Sequence, residues 1–142
     1  MMANKSVFLD ANVLIYVLDK TSELHSSVVK TIQRLLSKKT ALCTSHHVIE
    51  EVLHVVQKIP ESGVSLSFVV EEIDKIPDLI LIEPSANIDF ARRYAALSQK
   101  LNMGVNDALI LQLVLDAGIP SIFSYDKKFI KQANALGIKQ VA

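Results

Sequence analysis

Disulfide chemistry has no place in this chain: its single cysteine, Cys43, has no second thiol to pair with, a usage that suits a reducing compartment. Glycine and proline are scarce, four of each in 142 residues, and no run of either marks a linker, repeat or low-complexity tract. No basic-then-apolar leader with a small-residue cleavage site opens the sequence, so a cytoplasmic protein is expected. Long apolar runs are missing as well. The longest, Val13 to Leu18, falls far short of the ~20 residues that span a bilayer, and no membrane association is expected. One-sided charge is also lacking, since 15 Lys and Arg balance 15 Asp and Glu. That balance argues against a general nucleic-acid coat and leaves room for a local basic patch.

What the chain does have is apolar mass. Half of its residues are hydrophobic and 21% are charged, which excludes a disordered chain. A length of 142 residues suits one domain over residues 1–142 and buries ~68–70% of the chain's surface without disulfide or structural metal.

Short β-branched runs alternate with longer helical patterns. Ser6–Asp10 (SVFLD) reads as a buried strand, with Asn12 capping a helix through Leu18. Leu24–Lys38 repeats its apolar residues with a helical period. Ala41–Cys43 is a short strand, after which Ser45 caps a helix to about Lys58, stopped by Pro60. Leu66, Val69, Val70, Ile73 and Ile76 form a helical stripe ended by Pro77. Leu79–Ile82 is a third strand and Ile88–Leu101 a helix. Asn106 or Asp107 opens a helix to Ala117, closed by Gly118. Ser121–Phe123, Lys127–Leu136 and Ile138–Val141 complete the chain as strand, helix and strand. Strands separated by helices without hairpin signals imply parallel crossovers. Runs such as FL, LILI and SIF lack the in–out alternation of a half-exposed sheet. The expected class is a single three-layer α/β/α domain around a mostly parallel sheet.

Sheets of this kind place their sites beyond the carboxyl ends of the strands, where strand order reverses. Asp10 closes the first strand, Asp126 lies just past the fourth, Asp107 stands at a helix start, and Glu50 and Glu51 occupy the helix after the second strand. If the first and fourth strands are neighbours, these acids meet at one end of one sheet. Two of them have simpler readings: Asp126 as a helix N-cap and Asp107 as a first-turn acid favoured by the helix dipole. Asp10 is harder to dismiss, because a carboxylate following a VFL strand sits where an isolated charge is costly. On the helical wheel Glu51 projects roughly 40° from Val55 at the border of the apolar arc, and Glu50 about 60° outside Leu53 on the polar side, which favours Glu51. Carboxylates that share a pocket repel one another unless a cation joins them. Hard oxygen ligands without a Cys or His pair suit Mg²⁺ or Mn²⁺ rather than zinc.

The segments VFLDANVLIY, TSHHVIEEVL, NDALILQLVLDAGIP and SIFSYDKKF, in this order and spacing, resemble the PIN-domain nucleases, and most of all the small VapC-like ribonuclease toxins of toxin–antitoxin pairs. The likeness spans Ser6 to Val141. It implies a five-stranded parallel sheet and RNA cleavage dependent on Mg²⁺ or Mn²⁺, leaving 5′-phosphate and 3′-hydroxyl ends. The family's acids fall on Asp10, Glu51, Asp107 and Asp126, which would hold the ion and carry the catalysis. Glu51 follows Ser45 by the six positions the family uses. Ser124 occupies the family's hydroxyl position, and Asn12 and Ser124 would orient waters or carboxylates. The resemblance further implies an RNA substrate, a cognate antitoxin protein and a homodimer.

Other signals are weaker. His46, Glu50 and His54 share a helix face, as do His47, Glu51 and His54. No HEXXH motif is present, and these read as solvated histidines. Lys127, Lys128 and Lys131 flank Asp126 and either guide RNA phosphates or are merely solvated. Tyr125 either stacks a base or packs. Phe68, Val69, Val70 and Ile73 read as core or as a self-association face. Two other functions compete with a nuclease. One is a PIN-type scaffold that binds RNA or protein with little or no catalysis. The other is phosphoryl transfer through an aspartyl nucleophile, which wants a second Asp where this chain has Asn12.

Overall fold

The computed structural model describes residues 5–59 and 63–141. Five strands, β1 (Ser6–Leu9), β2 (Ala41–Ser45), β3 (Ile80–Ile82), β4 (Ser121–Phe123) and β5 (Lys139–Gln140), form one sheet in the order β3-β2-β1-β4-β5. Every pairing is parallel, as the absence of hairpin signals requires. Among the described residues seven helices connect them: α1 (Ala11–Leu18), α2 (His25–Ser37), α3 (His46–Gln57), α4 (Leu66–Asp74), α5 (Ile88–Leu101), α6 (Val105–Ala117) and α7 (Lys127–Ala135). Right-handed crossovers put α1–α4 on one face of the sheet and α5–α7 on the other, giving the expected three layers.

β1 lies in the centre, and all four of its residues are buried. Phe8, Leu9, Val13, Leu14, Leu111, Val114 and Ile122 are the middle of the core. α6 buries Ala108, Ile110, Leu111, Leu113 and Val114 around much of its circumference, as a helix clamped between sheet and neighbour must. It ends on Gly118, whose φ of 70° is left-handed and open to a residue without a Cβ. The Gly118 and Ile119 amides there close back on the carbonyls of Leu115 and Val114.

Several expectations shift. Asp10, not Asn12, caps α1 through its own side chain. β2 runs to Ser45, which ends the strand and caps α3 in the same residue. α6 opens at Val105, ahead of Asn106, after a Gly104 that contributes no side-chain cap. The LILI run is not buried on both faces: β3 is an edge strand in which Ile80 and Leu81 are exposed. In α4, Val69 and Ile73 join the core while Phe68 and Val70 face outward. Pro60, expected to stop α3, lies outside the described residues. Among the described residues no helix is long and apolar enough to cross a membrane.

Candidate functional site

The order β2-β1-β4 makes β1 and β4 neighbours and so creates the reversal point at which ligands bind parallel sheets. All four candidate acids gather above it. The Asp10 amide still continues the ladder, donating to the Phe123 carbonyl at 3.1 Å, while its side chain turns to the helix. Oδ1 accepts from the Ala11 amide at 2.8 Å. Oδ2 accepts from the Ser124 hydroxyl at 2.7 Å and from Asn12 Nδ2 at 3.3 Å.

Ser124, itself fully buried, is the hub of this cluster. Its O–H donates to Asp10, and its oxygen accepts from Asn12 Nδ2 at 3.2 Å and from the Asp126 backbone amide at 3.1 Å. Asn12 completes the ring by accepting from the Tyr125 amide at 3.1 Å. Asn12 and Ser124 thus lock Asp10 in one orientation, because each polar atom is already committed to a partner. Thr44 ties β2 into the same end, its hydroxyl donating to the Leu9 carbonyl at 3.0 Å.

Asp126 caps α7, accepting from the Lys128 and Phe129 amides at 3.0 and 3.2 Å. Its simpler reading is therefore right as local structure, yet its charge also bears on Asp10 and Asp107. Asp107 stands in the first turn of α6. Glu51, one turn into α3, accepts from the Asn106 side-chain amide at 3.1 Å. Three of the four acids therefore stand at the positive end of a helix and Glu51 near one, which eases but does not cancel their repulsion.

The electrostatics record the crowding. Burial pushes the Asp10 carboxyl above the ordinary Asp range; hydrogen bonds from Ser124 and Ala11 oppose that, and Asp126 adds to it. Glu51 is raised by burial and then by Asp10, against relief from Asn106 and His47. Asp107 is raised by burial, then by Asp126 and Asp10, with Lys128 as the counterweight. Groups held above their normal values by burial and by one another favour whatever brings positive charge among them.

Glu50 takes no part. It points to solvent with His54 Nε2 at 3.9 Å, while His46 pairs with Glu83 at 3.3 Å, all four side chains largely exposed. Two of the histidines are thus the solvated groups expected. The third is not: His47 bonds through Nε2 to Asn106 Oδ1. In the sequence Asn106 reads only as a helix start, and the i,i+4 spacing of His47 and Glu51 is the one signal for this contact. Tyr125 packs edge-on against Tyr16, with ring centroids 5.5 Å apart, and tilts against Phe123. Packing is thus the role the structure shows for this ring. Lys127, Lys128 and Lys131 are exposed on α7, and Lys128 reaches Asp107 electrostatically.

The donors fit a hard, hydrated cation. All four are carboxylates, and no Cys or His pair joins them. Among the described residues no three Asp, Glu, His or Cys side chains stand close enough together to hold a metal ion by themselves; Mg²⁺ typically takes one or two carboxylates and keeps several waters.

The PIN domain family model matches residues 7–135, almost the whole of the described chain. The protein belongs to the PIN domain family. No curated protein matches it by sequence, but solved structures align over nearly its full length. VapBC2 from Rickettsia felis, bound to a DNA fragment from its promoter, is 20% identical with a TM-score of 0.69, covering 96% of this chain and 97% of the other. VapC20 from Mycobacterium tuberculosis, a sarcin–ricin loop cleaving toxin, is 16% identical with a TM-score of 0.61, covering 95% and 98%. VapBC-1 from nontypeable Haemophilus influenzae is 16% identical with a TM-score of 0.63, covering 96% of each chain. At these identities the likeness establishes a PIN fold of the same extent.

Proposed function

We propose that this PIN domain is a metal-dependent endoribonuclease that hydrolyses RNA phosphodiester bonds, and that it is the toxin of a toxin–antitoxin pair. The observation that carries the reading is the group of Asp10, Glu51, Asp107 and Asp126 at the β1/β4 reversal point, three of them raised by burial and mutual repulsion. Asp10, Glu51 and Asp107 would hold Mg²⁺ or Mn²⁺, directly or through water, with Asp126 as a further ligand. When bound, such an ion stabilises the charge that develops on a phosphate under attack.

The chain's own residues do the rest. Ser124 and Asn12 keep Asp10 fixed, so that its carboxylate needs no reorganisation when the ion and RNA arrive. The α7 lysines, Lys127, Lys128 and Lys131, supply a local basic patch that draws RNA phosphates toward Asp126. The toxin role rests on the VapC20 and VapBC likenesses, and with it come a cognate antitoxin, a homodimer and a cytoplasmic location. The buried free thiol of Cys43, pushed up to about 11 by burial, is inert and suits that compartment.

A second reading draws on the open spacing of the acids: a scaffold that binds RNA or protein without cutting. Mn²⁺ titration of the wild type and of Asp10→Asn, followed by melting temperature and by RNA cleavage, separates the two. A nuclease shows Mn²⁺-dependent stabilisation and cleavage, both lost in the variant. Stabilisation with no cleavage of any RNA tested favours the scaffold, and full cleavage by Asp10→Asn removes the site.

A further inference from the structure

Glu51 has a support that is separate from the Asp10–Asn12–Ser124 cluster. Asn106 Nδ2 donates to Glu51 Oε1 at 3.1 Å, and the oxygen of the same amide accepts from His47 Nε2. A primary amide can rotate by half a turn and exchange its donor for its acceptor. In the reversed orientation it would set an oxygen against a carboxylate oxygen. The Glu51 carboxylate, which can only accept, takes the NH₂, and His47 Nε2, as donor to Oδ1, holds the other end of the same amide. The three residues span two layers, because His47 and Glu51 belong to α3 and Asn106 to α6, directly before Asp107. The chain of bonds therefore couples the element that carries Glu51 to the element that carries Asp107.

We propose that Asn106, its amide held between His47 and Glu51, is a positioning residue that fixes the Glu51 carboxylate in the orientation in which it would bind a divalent ion. The inference rests on the reading of Glu51 as an ion ligand and adds two residues that act through it. Asn106 is exposed and His47 half-buried, so their bonds contribute little to folding. Removing an outer partner of a metal ligand weakens metal binding by about 10–100-fold.

The test is the Mn²⁺ concentration at half-maximal thermal stabilisation, measured with Mn²⁺ alone on the wild type, N106A, H47A, the H47A/N106A double variant, His47→Gln and Glu51→Gln. N106A is expected to raise the midpoint by about tenfold while the metal-free melting temperature stays near that of the wild type. H47A moves the midpoint in the same direction and adds nothing in the N106A background, because it acts through that amide. His47→Gln, which restores an N–H donor, recovers part of the loss. A wild-type midpoint in N106A overturns the inference, as does an H47A effect that persists undiminished in the double variant. Glu51→Gln distinguishes the two levels. If it shifts the midpoint and N106A does not, only the positioning role fails. If it leaves the midpoint unchanged, or the wild type does not respond to Mn²⁺, the ligand reading of Glu51 fails and this inference falls with it.

Discussion

Ser124 carries more of the site than its size suggests. It donates to Asp10 and accepts from Asn12 and from the Asp126 amide, so one hydroxyl aligns three residues that come from two strand ends. Ser124→Ala leaves a buried carboxylate oxygen without its shortest partner. The expected destabilisation is about 1–3 kcal/mol, read from the midpoint of denaturant unfolding, and a loss below ~0.5 kcal/mol would be at odds with a buried, fully engaged hydroxyl. At this scale Asp10, Asp107 and Asp126 could be read from the chain, because each follows a strand or opens a helix and strand ends converge in a parallel sheet; Glu51 is favoured by the helical wheel, and Ser124 by the family resemblance alone. The Asn106–Glu51 contact could not. It joins residues 55 positions apart, and depends on how the first turns of α3 and α6, on opposite faces of the sheet, meet beyond the strand ends. The choice between Asp10 and Asn12 as cap was equally closed to inspection, since both are good caps and only the backbone angle at the strand exit decides.

At the level of elements, α7 separates two roles that one residue combines. Asp126 caps this helix and also adds its charge to the site. Asn caps about as well as Asp, whereas Ala costs roughly 1 kcal/mol. Asp126→Asn is therefore expected to retain stability and lose Mn²⁺ affinity, and Asp126→Ala to lose both. Thermal unfolding with and without Mn²⁺ reads the two effects apart; equal Mn²⁺ midpoints for Asp126→Asn and the wild type would leave Asp126 as a cap alone. Helices and strands were legible in kind, because the 3.6-residue period in α2, α3, α4 and α5 is strong. Their ends were less so. Gly104 gives no side-chain signal for the start of α6, and Ser45, an obvious cap, hides the fact that the strand reaches it. The LILI run misled in another way: composition reports apolarity, not whether a strand has neighbours on both sides, and β3 has only β2.

Across the whole molecule, the acids make folding sensitive to protons. Asp10, Glu51 and Asp107 are all raised above their ordinary values, so the native chain binds more protons than the unfolded one. Stability from this source is complete below the unfolded value, about 3.9 for Asp, and is lost as pH rises through the raised native values. In EDTA, Asp10→Asn is expected to melt above the wild type at pH 7, with the gap closing toward pH 4. A gap independent of pH would contradict the assigned burial of that charge. The exposed Asp19, lowered by its Thr21 contacts, acts with the opposite sign but is common to both proteins and cancels. A different consequence follows from Ser45. Because strand and helix share that residue, no spacer exists between β2 and α3 to absorb a change in chain length. One residue inserted there would turn the helix by about 100°, carrying Glu51 from the acidic crevice to another quadrant. The segment from Thr44 to Glu51 is thus a ruler as well as a structure: the number of its residues, apart from their side chains, sets where Glu51 falls.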